Sequence, residues 1–547
     1  MANQAKQDKQ DRHKRIYDLH SWTGVVLGLM MFFVCFTGSV ALFHHELEPW
    51  EDAAKRGEIV ANPVPIHNTL VEFAETKSNE LGIEPQFVNV ALPHGEHGHY
   101  DLSISGRKTD DSGEFDFASA RYSTATGEEL AYRTSGANRL LYDLHRDLAW
   151  PDVLGGRQVG RIIVGLVGIA FLLLILSGII AHTKFTKELF TLRFLKSVRL
   201  KWQDSHKVLG LWTSPFAFII ALTGAFLGVI ALLLPLLAFV TIKGDQEKLI
   251  AELGLEQPQA VGIAAPMIPA DEIGPRAHPE TGNPLTYIRY NNWGDQNATA
   301  TLTYKAERRL LYADNLTVNA VTGEQQAGQD IFLTNGPFAY ILATFSPLHY
   351  GTYGGVFLKI IYFVLGMSIA IMSALGNMMW IERRRHGGEG EKSDRYYAIL
   401  SAINTGVCAG LPLAAVAVLG FDKLWWGTEV ARYSGMVWFF FGAWIVAALF
   451  GYFRGNDYKA NRELMAVSGF GLIGLAPLNW ALTGDVMWSN FTTGAAGSAY
   501  FDLAFILLGV AAVFVAAKLP AERPEDKRRK RKTKKVASTE PALEPAE

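Results

Sequence analysis

Cysteine is nearly absent from this chain. Among 547 residues there are two, Cys35 and Cys408, and both fall inside apolar runs, which argues against a disulfide framework. No CxxCH occurs, so covalent thioether attachment of a haem is excluded. A GxGxxG after a strand, a P-loop and an HExxH are also missing, and with them any recognisable nucleotide or flavin domain. Paired Asp, Glu or Lys residues are lacking in the apolar runs away from their ends, which speaks against proton-coupled transport. Asp485 and Asp502 lie near run ends and leave that view unchanged. The last four apolar runs contain no histidine at all. Formal net charge is −2, which points to no nucleic-acid partner.

What is present is apolar sequence in long blocks. The chain is 49% hydrophobic and 19% charged with a mean hydropathy of +0.12, an average that conceals very apolar runs alternating with polar segments. Eight runs reach or approach the roughly 20 residues a bilayer span needs. They lie near 22–46, 160–182, 207–240, 355–380, 397–420, 434–453, 464–484 and 499–518. Basic residues cluster before the first run (Arg12, Lys14, Arg15), after the second (Lys184 to Lys207), after the fourth (Arg383 to Arg385), after the sixth (Arg454, Lys459, Arg462) and in the tail 527–535. All five clusters share one side if there are eight spans with both termini inside. The sequence therefore reads as an α-helical integral membrane protein of about eight transmembrane helices. In a bacterium it would be a multi-pass protein of the inner membrane with cytoplasmic N and C termini and two long periplasmic connectors. The apolar start carries no small-x-small cleavage site and reads as a retained first helix.

The expected order is a cytoplasmic N-terminus and first span (1–46), an outer domain (47–158), and spans two and three around a basic loop (159–240). A second outer domain (241–353), span four (354–386), four additional spans (387–519) and a basic cytoplasmic tail (520–547) follow. The first and third spans repeat one another. His20 precedes Gly24 by four residues and His206 precedes Gly210 by four, and Thr-Gly comes fourteen residues after each glycine, as Thr37-Gly38 and Thr223-Gly224. That spacing predicts a duplicated two-plus-two helix unit. Both connectors have alternating strand-like runs and a Thr-Gly-Glu turn, at 126–128 and 322–324, so two related small α+β domains are expected.

Five histidines stand at span boundaries: His20, His182 and His206 at the inner end, His145 and His349 at the outer. Imidazole is the standard axial ligand of haem iron, and an ionisable group at membrane depth is a functional candidate by default. A lone interfacial histidine is more often a polar anchor; five in two layers favour ligation. A 20-residue span would set the layers roughly 30 Å apart. Gly24 and Gly210 would leave room for a porphyrin plane. His44 and His45, aliphatic in the other copy, rank lower. The segment 94–99 (His94, Glu96, His97, His99) mixes imidazoles with a carboxylate but reads more simply as a solvated loop.

At these residues the chain resembles the PepSY-associated transmembrane helix family, iron-regulated membrane proteins that include ferric-siderophore reductases. The matching pieces are HSWTG at 20–24, Thr37-Gly38, SGIIAHTKFTKELFTLR at 177–193, DSHKVLGLW at 204–212 and PLHYGTYGG at 347–355. The resemblance implies PepSY-like outer domains and two or more b-type haems, with His20, His145, His182, His206 and His349 as ligands to the iron. It implies electron delivery to a periplasmic ferric chelate. With no nucleotide domain, the donor would be quinol or a cytoplasmic reductase. The expected pairing is His145 with His349 outside, and two of His20, His182 and His206 inside. The rival readings are a non-redox, membrane-anchored PepSY binding or regulatory module, and a chelate transporter.

Overall fold

The computed structural model describes residues 2–522 apart from 54–55, 57–59, 95–97, 111–113, 132–135, 182–189, 192, 194–197, 246–258, 278–283, 306–312, 327–343, 386–393 and 493–495. Among the described residues eight helices are long and apolar enough to cross a membrane. Span one is part of α1 (Ala2–Ala41), span two is α5 (Gly156–Ala181), span three is part of α6 (Val198–Ile242) and span four is part of α9 (Gly355–Arg385). Spans five to eight are α10 (Asp394–Lys423), α11 (Glu429–Phe453), α12 (Asp457–Thr483) and α14 (Ala496–Lys518), with the short α13 (Met487–Asn490) before the last. The chain is a multi-pass membrane protein.

The first connector adds α2 (His44–Glu51), α3 (His67–Leu81), β1 (Ile83–Ala91), β2 (His99–Lys108), β3 (Phe115–Ser123), β4 (Glu129–Leu130) and α4 (Ala137–Asp147). The second adds α7 (Ala270–Ala277), β5 (Leu285–Asn291), β6 (Thr299–Lys305), β7 (Ala313–Asn319) and α8 (Phe345–Tyr350). Their strands do not form two separate sheets. They join in one antiparallel sheet ordered β4-β3-β2-β1-β5-β6-β7. The junction is the β1–β5 ladder, where Val90 lies opposite Ile288 and Phe87 opposite Asn291. Each connector alone would leave an unpaired strand edge here, and pairing the two edges removes the liability.

Alternation sorts the sheet into two faces. Val88, Leu102, Ile288 and Leu302 are fully buried against Leu70 and Phe73 of α3 and against α7. The opposite face is polar and bonded across strands. Arg121 Nε donates to Asp101 (2.7 Å), Asn89 Nδ2 to Ser103 (3.1 Å), Arg289 Nε to Asn89 (3.2 Å) and Asn291 Nδ2 to Thr299 (3.0 Å). Both Thr-Gly-Glu turns adopt the same closure. Gly127 and Gly323 sit at φ +74° and +76°, and their N–H groups donate to Ser123 and Asn319 carbonyls, each at 2.9 Å. Only glycine takes that conformation without strain, so the turn signal in each connector has a physical cause.

Below the sheet, α2 and α4 form a platform between the first two spans and the last four. Leu140, Leu141 and Leu144 of α4 share one apolar cluster with Leu411, Met436 and Phe440 of spans five and six. Arg121 of β3 ties the sheet to this platform through Asp52, at 3.4 Å. Because the sheet core runs unbroken across the junction, Ile288→Ala should cost about 2–5 kcal/mol. Thermal unfolding should show one sheet transition moved downward, and hydrogen exchange should accelerate in β2 as well as β6.

Candidate functional site

A histidine entering a helix bundle must place a polar ring against apolar neighbours, and its Nδ1 has to be satisfied there. Four histidines solve this in one way. His20 Nδ1 lies 3.0 Å from the Leu174 carbonyl of span two, and a Cβ on Gly178 would come 3.0 Å from its Cε1. His206 Nδ1 lies 2.8 Å from the Met372 carbonyl of span four, with Gly376 beneath the ring at 3.1 Å by the same measure. His145 Nδ1 lies 2.9 Å from the Val34 carbonyl of span one and its ring sits on Gly38, where a Cβ would approach to 2.6 Å. His349 Nδ1 bonds the Ile220 carbonyl and lies 3.0 Å from Thr223 Oγ1, its ring seated on Gly224 at 2.7 Å. In every case the accepting carbonyl belongs to the residue four before the glycine.

These bonds fix the tautomer. A carbonyl only accepts, so Nδ1 carries the proton and Nε2 keeps its lone pair for a metal. Burial pulls the pKa of His145 below the ordinary imidazole range, and burial, with His145 alongside, brings that of His349 down to about 3. Both rings are therefore neutral, as ligands must be.

The four histidines come together in two pairs. The rings of His20 and His206 have centroids 6.4 Å apart with planes at 70°. Those of His145 and His349 are 6.0 Å apart at 19°. Metal–imidazole bonds of about 2 Å put the centroids of two opposed ligands about 6 Å apart. Between His20 and His206 lies a cavity of about 500 Å³, lined also by Gly24, Gly210, Lys207 and Arg383. Gly24 and Gly210 line this cavity, where added Cβ atoms would come 3.8 Å from Leu174 Cδ2 and 3.1 Å from Met372 Sδ, while the rings themselves rest on other glycines. The two levels are closer than one full span. Val34 follows His20 by fourteen residues along α1, a rise of about 21 Å, because the short helices α4 and α8 carry the second pair down among the spans.

His182 lies outside the described residues, as do residues 95–97 of the histidine-rich loop; His94 and His99 bond backbone carbonyls of Leu92 and Arg56. Trp380, which aligns with His182, lines the cavity and stacks under Arg384 at 4.4 Å. His44 bonds the Ala41 carbonyl and packs on Tyr142, and its ring is only 3.9 Å from that of His45, too close for a metal between them. Among the described residues no three His, Cys, Asp or Glu side chains converge on a metal position. Sequence reasoning missed the seats. In the sequence Gly38 and Gly224 only mark the repeat, and Gly178 and Gly376 only hold matching places in spans two and four, although each is the contact surface of an imidazole.

Eight spans, a sheet on one side and two facing histidine pairs define a multi-pass membrane protein built around buried imidazoles. Residues 17–383, about two thirds of the chain, match the PepSY-associated TM region family. The chain belongs to that family. Spans five to eight fall beyond the match. An uncharacterized protein of Pseudomonas aeruginosa strain PAO1 is 26% identical over 360 residues, covering 62% of this chain and 85% of that protein.

Replacing Gly38 by Val should lift the His145 ring off its seat and break the bond to Val34. Labelling of His145 by diethyl pyrocarbonate should then rise several-fold, with His20 labelling unchanged.

Proposed function

We propose that this protein is a b-type haem membrane protein that passes electrons across the bacterial inner membrane to a periplasmic acceptor, a ferric siderophore or another ferric chelate. In this reading both termini are cytoplasmic and the sheet is periplasmic. The first two spans with their connector and the next two with theirs are copies of one unit, each giving one PepSY-like half of the sheet. The observation that carries the proposal is the fourfold seat: an imidazole on a glycine, Nδ1 bonded four residues back, and the rings paired with centroids 6.0 and 6.4 Å apart.

The residues fit the group. His145 and His349 would hold one haem on the sheet side, and His20 and His206 another on the far side, with His182 a third candidate there. Haem held by these two histidine pairs would supply one-electron exchange. The chain's own residues do the remaining work. The carbonyls of Val34, Leu174, Ile220 and Met372 hold the proton on Nδ1 and fix each ring's orientation, as outer partners of metal-bound histidines do. Met31, Phe171, Ala217 and Ile369 form one apolar cluster that gives the cavity beside His20 and His206 an apolar wall. Arg383, exposed and bonded to Tyr17, lines the cavity and would offer a cation to a porphyrin carboxylate, while Lys207 is already paired with Asp204 at 3.4 Å. The donor at the basic side is quinol or a cytoplasmic reductase, since this chain offers no nucleotide domain.

The first test is the absorption spectrum of the purified protein, oxidised and reduced, with haem extracted into pyridine. Low-spin b-type bands at two haems per chain are expected; a colourless protein from haem-replete cells would sink the reading. The angle between the two axial imidazole planes controls the anisotropy of a ferric low-spin centre. Electron paramagnetic resonance should therefore resolve a rhombic signal from the 19° pair and a strongly anisotropic one from the 70° pair. His349→Ala should abolish the rhombic signal alone; retention of both signals would reject the pairing.

A further inference from the structure

Spans five to eight carry no histidine and lie outside the family match, yet they converge on the one helix that bears His145. Three sets of contacts make the connection. Tyr433 of span six donates to Asp143 of α4 at 2.8 Å. Asp143 is fully buried, and Arg139, Arg146 and Arg157 pair with the same carboxylate at 2.8–3.3 Å. A buried carboxylate so surrounded resists displacement, because losing any donor leaves charge uncompensated.

The second set runs through α2. Lys423 at the end of span five donates to the backbone carbonyls of Trp50 and Glu51, and to Asn479 of span seven. That places a cation on the C-terminal end of α2, where the helix dipole favours it. Trp50 in turn gives its indole N–H to Asp502 of span eight at 2.7 Å, an acceptor it shares with Trp480. Trp50, Asn479 and Asp502 have no solvent exposure.

The third set passes the restraint from α2 to α4. Glu51 Oε1 accepts the backbone N–H of Asn138, in the first turn of α4, at 2.6 Å. Gly136, the residue capping α4, has no Cβ; one there would lie 2.1 Å from the other Glu51 oxygen. Asn138 Nδ2 returns a bond to the His44 carbonyl. A carboxylate at a helix start satisfies donors that the helix itself leaves open. The helix α8, which bears His349, is held differently: Tyr362 of span four bonds its Leu348 carbonyl, and Phe345 packs on Phe226 of span three.

We propose that spans five to eight are the positioning device for His145. Lys423, Asp502 and Tyr433 fix α2 and α4, and through them the orientation of one ring of the sheet-side pair. These are positioning residues, since none touches either imidazole. The proposal rests on the haem reading for its consequence and on the contacts themselves for its cause.

The experiment uses the full-length, haem-replete protein with Tyr433→Phe, Lys423→Met and the two combined, with Lys423→Arg as the conservative control. Two quantities are read: the ferric low-spin resonances, and hydrogen exchange of the α4 and α8 amides. In the combined variant α4 should exchange about tenfold faster or more and the rhombic signal should shift or broaden. The anisotropic signal and α8 should stay as in the parent, and Lys423→Arg should resemble the parent. Faster exchange in α4 with an unmoved rhombic signal would overturn the positioning role, leaving a merely structural one. Unchanged exchange in α4 would overturn the proposal entirely. If Lys423→Met fails to assemble, Trp50→Phe, which loses three ring atoms, the indole N–H among them, but keeps an aromatic ring, takes its place with the same readings. A protein free of haem would refute the proposed function instead, and exchange in α4 would still decide whether these spans restrain it.

Discussion

The structure depends on how a helix can offer a hydrogen-bond acceptor to a side chain from its neighbour. Every interior carbonyl already accepts the N–H four residues on, but it has a second lone pair. In a straight helix that lone pair is screened by the side chain one turn further, since carbonyls point along the axis toward residue i+4. Glycine at i+4 removes the screen and at once makes a flat place for an aromatic ring. Four imidazoles use that opening, at Gly38, Gly178, Gly224 and Gly376. Helix spacing, tautomer and ring direction are consequences of this single contact type. A bulkier residue at any of the four would alter all three together.

The two levels differ in what surrounds them. His20 and His206 project from the long spans themselves and border an open cavity beside basic residues. His145 and His349 ride on short helices inserted between spans, with nearly parallel rings. A short helix has little stability of its own, so its orientation has to be imposed from outside. On one side spans three and four impose it. On the other, a buried network of tryptophan, lysine, aspartate and glutamate does so, which gives the histidine-free spans a place in the architecture.

Much of this was legible in the sequence for simple reasons. Long apolar runs report spans directly, and the eight expected are matched by eight among the described residues, with ends shifted by up to about a dozen residues; span one ends at Ala41 and a new helix starts at His44. The equivalence of His145 and His349 followed from their places before the even-numbered spans, and the chain brings them to 6.0 Å. Membership of the PepSY-associated family was readable from the histidine and glycine motifs. The single sheet was not. Its defining ladder joins residues 87–91 to 287–291, and no local pattern records which strand edges meet across such a separation. The glycine seats were hidden for a similar reason, because each glycine and its histidine lie on different helices, more than a hundred residues apart. The interval between levels was overestimated by taking the span length as the measure, when α4 and α8 penetrate the bundle.

Each histidine pair takes one ring from the first two spans' unit and one from the next, and the sheet closes by the same division, β1 against β5. Neither unit is therefore complete alone. Produced as a separate chain, the first would carry half of each pair and a bare β1 edge, the kind of surface that recruits another strand. A second copy related by a two-fold axis would supply both wants at once, the missing imidazoles and the missing strand. Carrying both halves in one polypeptide releases each from having to match itself, so one half is able to hold a partner in cis while the other does not. The grip of the last four spans on α4, with no counterpart on α8 among the described residues, is an asymmetry that a strict two-fold dimer of identical chains does not hold.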